Sequence, residues 1–135
     1  MLASGLPEIV ADDEDLARFL TSSGYFNAQM VKPAAFLPSR DQETSVFRHG
    51  SEPREMLWTI GFGCPAAGRT LHGAAIVKAR EVRAASLEVT ANEPPPRHAV
   101  IRGWPYLSED PDLQKAQQKE MAISIASKAV LLRRV

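Results

Sequence analysis

The stretch from Thr70 to Pro105, TLHGAAIVKAREVRAASLEVTANEPPPRHAVIRGWP, is the only part of the chain both long and apolar enough to form its centre. From Leu71 the residues alternate, with Leu71, Gly73, Ala75, Val77 and Ala79 on one side and His72, Ala74, Ile76, Lys78 and Arg80 on the other. A period of two is the repeat of a strand whose faces meet different surroundings. Gly73, Ala75 and Ala79 carry so little side-chain bulk that a helix is expected to lie close against them. Ser86 to Ala91 alternates in the same way, and Glu81 to Ala85 between the two runs is read as a reversal or bulge, which makes the pair a hairpin.

Asn92 to Pro96 cannot extend a central ladder, because consecutive prolines lack donors and fix φ. It is read as a stiff connector into another strand from Arg97 to Gly103, with His98, Val100 and Arg102 on one face and Ala99 and Ile101 on the other. Thr44 to His49 is a further β-type run, rich in β-branched and aromatic residues.

Around this centre the sequence predicts helices. The acidic run Asp12, Asp13, Glu14 and Asp15 suits a helix N-terminus, Leu16, Phe19 and Leu20 follow at helical spacing, and Gly24 suits the stop, so a helix is predicted over 12–23. Ser51, Glu52 and Pro53 open a short middle helix whose apolar face is Met56, Leu57 and Ile60, ended by the glycines from Gly61 onward. A long C-terminal helix is predicted over 111–134. Its first turns are polar, and Ala122, Ile123, Ile125, Ala126, Ala129, Val130 and Leu132 form a broad apolar arc later on. Residues 1–11 read as an irregular lead-in. Tyr25 to Gln42 is a proline-punctuated loop anchored by Phe26, Met30, Val31, Phe36 and Leu37. The fold class expected is α+β, a single domain over 1–135: a small, mostly antiparallel sheet of three to five strands with the helices packed on one face.

Charge narrows the function classes. Sixteen basic and sixteen acidic residues leave no net charge for sequence-blind binding to nucleic acid, so that partner is not favoured even though Arg80, Arg83, Arg97 and Arg102 fall in one sheet region. The single Cys64 forms no internal disulfide, no secretory signal opens the chain and no apolar window reaches membrane length, so a cytoplasmic protein is expected. GFGCPAAGR has three glycines, but not at the spacing of a phosphate loop, and reads as a turn. Cys64 lacks a paired base and reads as an incidental thiol. Ser45 and Ser86 sit in no nucleophile elbow. Nothing calls for a metal or other cofactor.

Two functions follow. The leading expectation is a domain that binds another protein, as an accessory or subunit of a larger assembly, with Trp104, Tyr106 and Phe36 as partner-binding residues; self-association is compatible with it. The alternative is a compact enzyme acting on a phosphate-containing substrate, nucleotide or RNA. There His98 with His49 or His72 would serve as acid and base, and Arg102 or Arg48 would neutralise developing charge. That chemistry requires the imidazoles to converge in one concave site.

Overall fold

The computed structural model describes residues 2–49, 54–63 and 70–134, without the side chains of 54, 62 and 63. The proposed helix opening at Ser51 to Pro53, Cys64 and most of the glycine-rich run lie outside these residues. The architecture is α+β. One antiparallel sheet is formed by β1 (Asp15–Leu20), β2 (Thr44–Arg48), β3 (Gly73–Lys78), β4 (Glu88–Ala91), β5 (His98–Arg102) and β6 (Val130–Arg133), in the order β4-β5-β2-β1-β3-β6. Among the described residues three α-helices accompany it: α1 (Arg54–Gly63), α2 (Ala79–Ala84) and α3 (Pro111–Lys128).

The first correction concerns the N-terminus, where a strand replaces the predicted helix. Leu16 and Leu20 enter one core, while Ala17 and Phe19 enter a second on the opposite face. A central strand covered on both faces is apolar on both, and its near-continuous apolar run imitates a helical stripe. The acidic residues do not cap a helix. Asp12 pairs with Arg83, Glu14 with Arg48 and Asp15 with Lys78.

The second correction concerns pairing. β3 lies between β1 and β6, and β4 lies on β5 at the far edge, so the two alternating runs form no hairpin with each other. Residues read as a reversal form α2, whose Ala79 and Val82 are buried, and α2 carries the chain between the two halves of the sheet. The hairpin partner of β4 is β5, and the proline connector is its turn.

Third, helices cover both faces. Ala122, Ile125 and Ala126 of α3 join Leu16, Leu20, Val46, Ala75, Val77, Val89, Ala99 and Ile101 in the larger core. On the other face Leu57 of α1 packs with Ala17, Phe19, Phe47, Leu71 and Ala74. Gly61, read as a helix stop, lies within α1, and a Cβ there would come 2.8 Å from Phe19 Cε1 and 2.9 Å from Leu71 Cδ2. The absence of a side chain is what lets α1 settle onto the sheet at that point.

Fourth, α3 ends at Lys128. Ala129 is extended, with φ −80° and ψ 144°, and the next four residues form β6. Gly73 serves this strand rather than α3, because a Cβ there would collide with the Leu132 carbonyl oxygen. The helix begins where the sequence indicates: Asp110 accepts from the Leu113 N–H at 3.0 Å and Pro111 occupies the first turn. Its polar first half is not wholly solvated, since buried Gln118 donates to Gln42 Oε1 and Pro105 O, both at 2.8 Å. In the long loop, Val31 and Phe36 are buried, whereas Met30 and Leu37 are exposed.

Candidate functional site

The three histidines take separate positions. The His49 N–H donates to Asp15 O and the His72 N–H to Leu20 O, so these residues sit at opposite ends of β1, about 17 Å apart at strand rise. His98, on β5, is separated from β3 by β2 and β1, which puts about 14 Å of sheet between it and the β3 strand that follows His72. His49, just past the end of β2, is the histidine on the strand neighbouring β5.

His98 is the most firmly oriented. Its Nδ1 lies 2.8 Å from Asn92 O, and since a carbonyl only accepts, Nδ1 carries the proton. Nε2 is then an acceptor in the neutral ring, and it lies 3.2 Å from the Ser45 hydroxyl. The ring rests on Phe47 with centroids 5.2 Å apart. This order, carbonyl to imidazole to hydroxyl, places a base beside a hydroxyl. The pair stands on the α1 side of the sheet, where Phe47 packs with Leu57, and Arg102, on the same face of β5, is bound to Glu43 at 2.8 Å.

The described residues form three clefts, one of which Ser45 and Glu43 line. One of about 380 Å³ is lined by Arg18, Tyr25, Glu43, Ser45 and neighbouring loop residues, one of about 340 Å³ by Tyr106 to Asp110 with Leu113, and one of about 250 Å³ by Phe47, Thr59, Ile60 and Pro95 to Arg97. His49, His72, His98 and Arg102 line none of these three. Among the described residues no group of three or more His, Cys, Asp or Glu side chains is placed to hold a metal ion, and no helix is long and apolar enough to cross a membrane.

Arg48 is fully buried and makes a two-pronged pair with Glu14, Nε to Oε1 and Nη2 to Oε2, each 2.8 Å, while Nη1 donates to Pro7 O at 2.6 Å. Its fork ties the lead-in and β1 to β2, and its full burial withdraws it from the surface where a substrate would bind. Burial alone would raise the Glu14 pKa. Hydrogen bonds from Arg48 and the Ala11 N–H outweigh it and hold the carboxyl below the usual range.

Of the side chains expected to meet a partner, Phe36 and Trp104 belong to the larger core. The Trp104 Nε1 finds no hydrogen-bond partner among the described residues. Tyr106 is 66% exposed and shares its cleft with Leu113.

The two sheet edges, which the sequence reading did not single out, are finished differently. On β4, Asn92 N–H donates to His98 O, so by strand alternation Glu88 and Thr90 face β5 and Val89 faces outward. The outward Val89 N–H is taken by the Glu88 carboxylate at 2.8 Å, itself bound by Arg83 Nε at 2.6 Å. That N–H first, then Arg83, lowers the Glu88 pKa. Prolines 94–96 follow at once. On β6, the Arg134 N–H donates to His72 O at 2.9 Å, so Val130 and Leu132 face β3 while the N–H and C=O groups of Leu131 and Arg133 point away from the sheet. No described strand or side chain covers them. Val130 is 59% exposed beside them. The signal for this strand lay in the β-branched and aliphatic run VLLR, absorbed at the sequence level into a helix. No family model, curated protein or solved structure matches the chain.

Proposed function

We propose that the chain works by binding another protein, as an accessory or subunit of a larger assembly, and that the partner adds a strand to β6. The observation that supports this is the contrast between the edges. Natural sheets blunt their edges with charges, prolines or covering segments, because an open row of N–H and C=O groups pairs with other chains. β4 has an acidic side chain on its outward N–H and prolines beyond it, whereas β6 offers Leu131 and Arg133 next to an exposed valine. Strand addition uses such an edge: backbone bonds supply affinity and alternate side chains supply selectivity. Tyr106, at the other end of α3, is available as a second contact. The acid–base alternative gains an oriented His98 beside Ser45, which lines the cleft of about 380 Å³, but His49 and His72 line none of the three clefts, and the binding reading is preferred for that reason.

The test separates backbone from side chain at one position. Arg133→Pro removes an N–H that points away from β3 and so leaves the existing ladder intact, while Arg133→Ala removes only the side chain. In quantitative pull-down from the native host, the parent and Arg133→Ala are expected to retain a common partner that Arg133→Pro loses, with circular dichroism unchanged. Retention by Arg133→Pro at the parental level would remove β6 as the docking edge. A strictly monomeric parent that retains nothing would overturn the binding reading itself.

A further inference from the structure

We infer that the segment received by β6 is extended and acidic, with acidic residues alternating with apolar ones; this rests on the reading of β6 as the docking edge. The first ground is charge. Residues 128–134 carry Lys128, Arg133 and Arg134 and no acid. Four basic side chains on or beside the rest of the sheet are matched: Arg48 to Glu14, Lys78 to Asp15, Arg83 to Asp12 and Glu88, and Arg102 to Glu43. Lys128 and Arg133 meet no carboxylate among the described residues, and Arg133 lies over the Phe26 ring at 5.5 Å. Two basic side chains without a carboxylate thus flank the open edge, Lys128 before it and Arg133 on it.

The second ground is the alternation of side chains. Along β6, Val130 and Leu132 point to the α1 side, where Leu132 packs against the smaller core. Leu131 and Arg133 point to the α3 side, where Leu131 packs against the larger one. A strand laid alongside presents its own residues alternately to these two sides. Apolar residues would lie beside Val130 and Leu132, and acidic residues beside Arg133. Opposite charges across paired strands stabilise and like charges destabilise. The same rule disfavours a second copy of this chain, since antiparallel pairing of β6 with itself brings two basic termini together.

The probes are short synthetic peptides alternating valine with glutamate, with lysine or with serine, and binding is read by fluorescence anisotropy at low salt. The glutamate peptide is expected to bind at least about fivefold more tightly than the serine peptide, and the lysine peptide more weakly than either. Arg133→Glu should reverse the order of the glutamate and lysine peptides, and Arg133→Pro should weaken all three by about tenfold or more. Reversal by Arg133→Glu is the decisive result, because a merely destabilised strand would lose affinity for every peptide alike. Equal binding of the three peptides, still lost in Arg133→Pro, would overturn the acidic partner while leaving β6 as a docking edge. Binding of none of them would overturn the inference. Concentration-dependent dimerisation that Arg133→Pro abolishes and the glutamate peptide fails to displace would assign the edge to a second copy and overturn it as well.

Discussion

Replacing Arg48 with methionine is expected to lower the free energy of unfolding by about 3 kcal/mol, the lower end of the range for breaking a buried ion pair. The methionine occupies similar space, so the loss comes from what is left behind. Glu14 keeps its charge with side-chain exposure of only 17%, and Pro7 O loses its donor. The lower end is expected because that exposure lets water reach the carboxylate in part. A second change, Glu14→Leu in the same chain, should recover part of the loss, since an apolar pair needs no compensation. Urea unfolding measures it: the midpoint should fall with little change in slope. A loss below about 1 kcal/mol would mean that the pair is far better solvated than its burial implies.

The same pair sets an acid limb on stability. The folded-state pKa of Glu14 is depressed, so its contribution is present above the unfolded value of about 4.3 and disappears as pH falls through the folded value. Arg48→Met should therefore flatten the parental decline in stability below about pH 4.3.

Leu57→Ala is expected to cost about 2–5 kcal/mol, the range for emptying a fully buried leucine site. Leu57 is the only fully buried large side chain described in α1, and the core it enters is small, consisting of Ala17, Phe19, Phe47, Leu71 and Ala74 beside it. A helix of ten residues does not hold itself together in water, so the loss should appear as detachment of α1 together with a lower unfolding midpoint. Amide exchange across α1 that stays as slow as in the parent, with stability reduced by under about 1 kcal/mol, would contradict this role.

Where local pattern and final position agree, the elements were readable. Thr44 to Arg48 and His98 to Arg102 are strands, the second with the faces its alternation implies, and Asp110-Pro111 opens a helix by chemistry that depends on no distant partner. The failures have a common physical cause. Leu16, Phe19 and Leu20 satisfy a helical stripe, but β1 is sandwiched between α3 and α1 and needs apolar residues on both faces. Val130 to Arg133 continues the apolar arc of α3 without a glycine or proline to stop it. Its strand conformation is decided by pairing with β3, whose Gly73 leaves room for the Leu132 carbonyl. Placing β3 and β4 on opposite sides of β1, β2 and β5 is likewise non-local, and the absence of a turn signal between them was the available hint. Around the candidate site, the proline connector that leads into β5 was legible. The ladder phase that exposes one edge was not, because it depends on which strand lies next to which.

Backbone amide hydrogen exchange along β6 tests the open edge most directly. Protection should alternate: the N–H groups of Val130, Leu132 and Arg134 exchange slowly, those of Leu131 and Arg133 rapidly, and the latter two become slow when the valine–glutamate peptide is added. Uniform protection from Lys128 to Arg134 in the free protein, as a continuous helix or an edge already covered would give, would contradict it.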